Sequence, residues 1–173
     1  MDTYLEQLIE FAGIAITLTG FSALISVVGT SVSTSDTMVD KFRALLLVVC
    51  GLTAVSLMLL PVVLTHFFDD ITVWRYASAF ALVAAFSLGI WGLIWVREYH
   101  SVFTTLDKII TASSYVLCAA LLGVLVAIVL GAVGDNSGPF YMAAMFLAIL
   151  ILGLLFVGIA TSVLLPGIHG DRS

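Results

Sequence analysis

Residues 140–165 read FYMAAMFLAILILGLLFVGIATSVLL and contain no charged side chain. The charge-free run around them extends from 136 to 170. An α-helix rises about 1.5 Å per residue, so about 20 apolar residues cross the hydrocarbon layer of a bilayer. This run therefore holds one membrane-spanning helix and is too short to hold two.

Four more charge-free runs precede it, at 11–35, 44–68, 76–96 and 109–134. Each is long enough for one span. We therefore predict an all-α integral membrane protein with five transmembrane helices, near 9–29, 43–67, 75–97, 109–133 and 139–165. The connecting segments are too short to fold separately, so we expect residues 1–173 to form a single transmembrane bundle.

The composition agrees with this class and excludes others. Apolar residues make up 62% of the chain and charged residues only 10%, with a mean hydropathy of +1.23. A soluble domain is nearer one-quarter charged. Six Lys and Arg residues against eleven Asp and Glu residues give a net charge of −5. Because there is no basic patch, we expect contact with membrane lipids and no binding of nucleic acid.

The first span is the most diluted by hydroxyl residues, and a cleavable signal peptide is the alternative interpretation of it. A signal peptide begins with a basic segment. Here Asp2, Glu6 and Glu10 come first, without Lys or Arg. We therefore favour a retained helix.

The distribution of Lys and Arg predicts the orientation. The connecting segments on one side carry Lys41, Arg43, Arg97, Lys108 and Arg172, whereas the other side carries only Arg75. Basic residues are retained on the cytoplasmic side of a membrane. The N-terminus is therefore predicted outside and the C-terminus in the cytoplasm.

Helix one has two adjacent faces of different character. Small or hydroxylated residues recur at spacings of three and four, and these are Ala12, Ala15, Thr19, Ser22, Ser26 and Gly29. The bulky residues one position earlier form a ridge beside this seam. The seam either packs within the bundle or lines a pore or subunit interface, and Thr19, Ser22 and Ser26 are the lining candidates.

Helices three and four repeat the small-residue pattern. The residues concerned are Ala81, Ala85 and Gly89 in one helix, and Ala119, Gly123, Ala127 and Gly131 in the other. Such faces permit close helix packing in lipid.

Pro61 cannot donate to the Leu57 carbonyl, so a kink in helix two is expected, either as a static bend or as a gate. Cys50 and Cys118 are interpreted as packing residues rather than a disulfide.

The central part of every span lacks Asp, Glu, Lys, Arg and His. Proton relays, arginine voltage sensors, paired catalytic carboxylates and bis-histidine haem therefore have no residues to carry them. We predict a non-enzymatic protein without a cofactor.

Two weaker groups of polar residues remain. His66, Asp69 and Asp70 have helical spacing and are candidates for a metal site or a pH-sensitive cluster, the alternative being a solvated helix end. Glu6 and Glu10 share a face that continues through Gly13, Thr17 and Gly20. In a symmetric oligomer they would form an acidic ring that concentrates cations; the alternative is two interfacial carboxylates.

The stretch Gly13-Ile-Ala-Ile-Thr-Leu-Thr-Gly20-Phe21-Ser22 is followed by Gly29, Asp40, Arg43, Leu45-Leu46-Leu47 and Pro61. This first third of the chain resembles an uncharacterised bacterial family of small multi-pass membrane proteins. The resemblance implies a bacterial inner membrane and transfers no activity or catalytic residue.

Two functions are compatible with these observations. One is a self-associating homo-oligomer that forms a passive, channel-like and cation-preferring permeation path, with Glu6 and Glu10 at its outer mouth. The other is a structural or accessory subunit of a larger membrane complex, which would use the small faces of helices three and four to contact a different protein.

Overall fold

The computed structural model describes residues 2–32, 38–99 and 105–164. Within these residues the chain is helical and has no β-strand. The five α-helices are α1, Asp2–Val32; α2, Met38–Leu64; α3, Asp70–Tyr99; α4, Thr105–Val129; and α5, Ser137–Leu164. A short 3₁₀ turn, Gly134–Asn136, precedes α5. All five helices are long and apolar enough to cross a membrane, which confirms their predicted number and type.

Successive helices run in opposite directions, so the bundle has two distinct ends. Tyr4, Ile71 and Asn136, from three different elements, line one pocket at what we call the upper end. At the opposite, lower end the Phe42 ring of α2 stacks on the Trp95 ring of α3. The N-terminus of α1, the α2–α3 turn and the 3₁₀ turn therefore all lie at the upper end.

The central helix is α5, which contacts each of the other four. α1 packs against α2 and α5, whereas α3 packs mainly against α2 and α4. α2 and α4 make almost no direct contact with each other. α3 contacts both of these helices, and a cavity lies between α2, α3, α4 and α5.

The helix ends differ from the predicted boundaries in both directions. α1 begins at Asp2 and α3 at Asp70, several residues before the predicted starts near 9 and 75. Carboxylates are favoured in the first turn of a helix, so the helix extends beyond the apolar run. By contrast, α2 and α4 end early, at Leu64 and Val129.

The early end of α4 is determined by Gly131. Its φ of 75° lies in the left-handed region, which glycine adopts without steric cost. The Gly131 amide donates to the Ile128 carbonyl at 3.0 Å, and the Ala132 amide donates to the Ala127 carbonyl at 3.0 Å. These two bonds form a Schellman cap. The prediction that Gly131 continues the small face of helix four is therefore wrong, because this residue lies beyond the helix.

The small-residue seam of helix one lies inside the bundle. Ala12, Ala15 and Ser22 are buried, and Thr19 is only 9% exposed. Opposite them, Gly51 of α2 comes so close that a Cβ at this position would overlap the Thr19 side chain. Close approach of small residues replaces the hydrophobic drive that lipid removes. Of the two interpretations of the seam, its position in the structure favours packing within one protomer.

The contact between Gly51 and Thr19 predicts opposite effects of two glycine substitutions. Gly51→Ala should lower the free energy of unfolding by about 1–3 kcal/mol, because the stiff, β-branched Thr19 cannot move aside without shifting a helix. Gly123→Ala is the matched control, since open space surrounds Gly123. It should raise stability by up to about 1 kcal/mol through helix propensity. Unfolding by SDS in mixed micelles measures both, and equal effects would contradict the packing described.

Candidate functional site

The outward side of α1 carries polar and small residues in line. Its exposed members are Glu6, Glu10, Gly13, Thr17 and Gly20. A Cβ placed at Gly13 or Gly20 would meet no other described side chain or helix within 4 Å. The Thr17 hydroxyl donates to the Gly13 carbonyl at 2.8 Å, which satisfies it within its own helix. We call these five residues the α1 face.

Glu10 lies well below the upper end of the bundle. The ring centroids of the next residue, Phe11, and of Phe146 are 6.3 Å apart. This contact places Glu10 roughly 12 Å along α5 from its first residue, at about 1.5 Å per residue. With 28 residues, α5 is about 42 Å long, which exceeds the roughly 30 Å of a hydrocarbon layer. A bilayer centred on α5 would therefore place Glu10 among lipid chains and Glu6, one turn higher, at their boundary.

The hydroxyls predicted to line a pore lie inside the protomer. Thr19 Oγ1 donates to the Ala15 carbonyl at 2.7 Å, and Ser22 Oγ donates to the Leu18 carbonyl at 2.6 Å. Helical Thr and Ser side chains commonly form such bonds with the preceding turn. Thr19 and Ser22 therefore do not belong to the α1 face. The side chain of Ser26 lies outside the described part of the structure.

The group of His66, Asp69 and Asp70 does not share a helical face, so this part of the prediction is wrong. α2 ends before His66, and Asp70 is the first residue of α3. The two carboxylates start the next helix, where its dipole favours them. The His66 Nδ1 atom lies 3.1 Å from the Val62 carbonyl oxygen. Among the residues described, no three His, Cys, Asp or Glu side chains are grouped to hold a metal ion.

A cavity of about 200 Å³ lies between α2, α3, α4 and α5 and opens to the bundle surface. Most of its lining is aliphatic or aromatic. The small face of α3 borders it with Ala81, Ala85 and Gly89. This face therefore borders a cavity and does not form a tight helix contact along its whole length.

Side chains with polar or reactive atoms line the cavity from α2 and α4. Cys50 of α2 and Cys118 of α4 both line it, and both thiols are free, as predicted. Tyr115 and Thr111 line it about one and two turns below Cys118, nearer the lower end of α4. No hydrogen bond joins the Tyr115 hydroxyl to any residue that the structure describes. The cavity thus has an apolar body and a hydroxyl-bearing lower part.

The small residues of α4 lie on a different side from the cavity. Ala119 and Gly123 are exposed, and Ala127 is half-buried. A Cβ at Gly123 would meet nothing within 4 Å. At Ala119 and Gly123, the face predicted for helix packing is thus uncovered within a single protomer.

Pro61 and Tyr141 form a pair that the sequence did not reveal. Pro61 has no amide to donate to the Leu57 carbonyl. In the structure the Tyr141 hydroxyl of α5 donates to this carbonyl at 2.7 Å. Tyr141 is fully buried, and α2 continues through Pro61 as one helix. The proline indicates that a donor is needed, but only the packing of α5 against α2 identifies which one.

Comparison with known proteins gives no relative from which a role could be transferred. No protein-family model, curated protein or solved structure matches the chain. The resemblance to small bacterial multi-pass proteins therefore stays a prediction. Function has to be inferred from the α1 face, the cavity and the uncovered part of α4.

The hydrogen bond from Tyr141 predicts a stability effect that depends on Pro61. Tyr141→Phe should lower the free energy of unfolding by about 1–2 kcal/mol, because it leaves the Leu57 carbonyl without a donor. In a Pro61→Ala background the restored amide at position 61 can donate to the same carbonyl. There the loss should fall below about 0.5 kcal/mol, and a double-mutant cycle measures the difference.

The matched control is Tyr76→Phe, because the Tyr76 side chain is about half exposed and packs against Phe68. It should change stability little in either background. If Tyr141→Phe cost the same with Pro61 and with Ala at position 61, the bond would not serve to satisfy the freed carbonyl.

Proposed function

We propose that the protein is inserted in a membrane through its five helices and self-associates through the α1 face. Several copies then enclose a passive path that prefers small cations. The path needs no catalytic residue and no cofactor. The observation that carries the proposal is the exposed, outward position of Glu10 on α1. A bilayer centred on α5 would surround this position with lipid chains.

A carboxylate that faces lipid is costly, and ionisable residues at such depth are usually functional. No described cationic side chain pairs with Glu10. Below it, Gly13, Thr17 and Gly20 leave room for the backbone of another helix to approach. Closed symmetry would bring the Glu10 side chains of several copies together around a common axis. There water and cations, rather than lipid, would surround them.

We assign the path between protomers because the described residues enclose no polar channel within one protomer. Thr19 lies directly against Gly51, which closes the seam of α1. The cavity is lined mainly by aliphatic and aromatic side chains and would not hold a chain of water molecules. We therefore assign the path to the α1 face, which carries the exposed carboxylates of α1.

A single cysteine on the α1 face tests self-association directly. In a background with Cys50→Ser and Cys118→Ser, Thr17→Cys should form a disulfide-linked dimer on mild oxidation in membranes, because symmetry brings the α1 faces together. The matched control is Thr19→Cys, two positions away and turned into the protomer. It should give no dimer.

The same assembly should be permeable after reconstitution. Liposomes that contain the protein with native residues at 6 and 10 should pass K⁺, and Glu10→Gln should reduce this flux several-fold by removing the ring of charge. Glu98→Gln, at the lower end of α3, should leave the flux unchanged. Tight vesicles with well-incorporated protein, or equal flux from both variants, would contradict the proposed path.

A second candidate, an accessory subunit of a larger complex, is favoured by the uncovered small residues of α4. Ala119 and Gly123 are exposed, and open space surrounds Gly123. Small residues on an outer face permit contact with a transmembrane helix of another protein. If Thr17→Cys gives no homodimer while Ala119→Cys crosslinks to one different protein in stoichiometric amount, this second function replaces the first.

We propose further that the lower end faces the cytoplasm, in a bacterial inner membrane. Arg97 and Lys108 are exposed at this end, and Lys41 and Arg43 belong to the part of α2 that begins there. Arg75 lies near the upper end of α3. The excess of basic residues at one end is what supports this orientation.

Labelling of single cysteines in intact cells tests this orientation. With Cys50 and Cys118 replaced by Ser, an impermeant thiol reagent should label Asp70→Cys and Asn136→Cys at the upper end. Thr105→Cys at the lower end should be protected until the cells are permeabilised. The reverse pattern would mean that the bundle is inserted the other way round.

A further inference from the structure

The cavity between α2, α3, α4 and α5 is larger than the space that good packing leaves. Its volume of about 200 Å³ exceeds the roughly 150 Å³ of an engineered apolar cavity that binds benzene. An empty cavity of this kind forfeits the contacts of its lining atoms. Water would not replace those contacts, because it finds few polar partners among the lining residues.

A hydrocarbon chain fits these walls. Aliphatic and aromatic side chains from all four helices face the space, among them Leu46, Leu88, Leu121 and Ile151. The cavity opens to the bundle surface, so a chain can enter it from outside the bundle. In a membrane, which the proposal above requires, lipid chains surround this opening.

The polar groups at the lower part of the cavity point to an amphipathic ligand. Lys108, Thr111, Tyr115 and Cys118 are spaced by three, four and three residues along α4, so they share one face. The last three line the cavity. Lys108 is exposed on α4, about one turn below Thr111 and thus nearer the lower end of the bundle. No ion pair joins Lys108 to another described residue. A chain in the cavity would thus have a hydroxyl and a cation beside its polar end.

From this arrangement we infer a lipid-binding site that takes one acyl chain of an anionic phospholipid. The chain occupies the cavity past Cys118, the ester region meets the Tyr115 hydroxyl, and the phosphate lies at Lys108. Lipid chains gain no hydrophobic energy on leaving one another for the protein. Selectivity therefore comes from the fit of the chain and from the charge at Lys108. The site rests on membrane insertion but not on self-association.

Protection of the Cys118 thiol tests the site in a protein whose cavity lining is changed only at position 50. The Cys50→Ser variant is delipidated in a steroid-based detergent, whose rigid body does not enter a space shaped for a chain. Adding palmitoyl-oleoyl phosphatidylglycerol should slow the labelling of Cys118 by N-ethylmaleimide several-fold. The control is Ala119→Cys, on the exposed side of α4 in a background with Cys50→Ser and Cys118→Ser, where labelling should not change. Equal labelling of Cys118 with and without the lipid would overturn the site.

Native mass spectrometry of the same samples should retain one phosphatidylglycerol per protomer. Gly89→Leu should abolish retention, because a Cβ at this position already lies 4.0 Å from Cys118 Sγ and the larger side chain fills the cavity. Gly123→Leu, on the outer face of α4, should retain the lipid. Retention by both variants would mean that the lipid binds outside the cavity.

The anionic headgroup is tested separately. Lys108→Gln should weaken both protection and retention several-fold, whereas Arg75→Gln at the upper end should have no effect. Inorganic phosphate alone should not protect Cys118, because it cannot fill the cavity. Protection by phosphate, or unchanged binding to Lys108→Gln, would exclude the assigned position of the lipid. Because these measurements do not depend on cation flux or crosslinking, failure of the path between protomers leaves their outcome unaffected.

Discussion

The hydrogen bond from the Tyr141 hydroxyl to the Leu57 carbonyl joins α2 to α5, the central helix of the bundle. In lipid every backbone carbonyl needs a partner from the protein itself. Pro61 removes one partner from α2, and Tyr141 of the central helix supplies another. The Trp74 ring of α3 lies 5.6 Å from the Tyr141 ring, measured between centroids. One side chain therefore contacts both α2 and α3 from the central helix α5.

The outward position of the carboxylates follows from how α1 packs. Once Gly51 of α2 lies against Thr19, the small seam is fixed inside the bundle. Thr17 is only two residues away, and positions two apart on a helix point to nearly opposite sides. Glu10 shares the side of Thr17, so it has to face away from the bundle. The face available for self-association is thus a consequence of packing elsewhere on the same helix.

The sequence predicts the number of helices because absence of charge over a membrane-length run is a local property. It predicts helix ends less well, since Gly131 ends α4 through its backbone conformation and Asp70 extends α3 beyond the apolar run. The sequence does not indicate which side of α1 faces the interior of the bundle, because small and hydroxylated residues occur on both sides of this helix. The contact of Tyr141 with Leu57 is missed altogether. These residues are distant in the sequence, and no local pattern relates them.

Small residues have opposite effects in two parts of this bundle: they allow close helix contact in one part and border a cavity in the other. The residues that face them determine which of the two occurs. Thr19 meets a glycine on α2, so the two backbones approach and no space is left. Gly89 on α3 instead faces α4 and a cavity. Near the lower end, the Phe42 and Trp95 rings stack with centroids 4.0 Å apart and an interplanar angle of 6°. This stack fills the gap between α2 and α3 at one level, and both rings border the cavity. The cavity thus lies where small residues of α3 meet no side chain large enough to fill the space, next to an aromatic stack that does fill it.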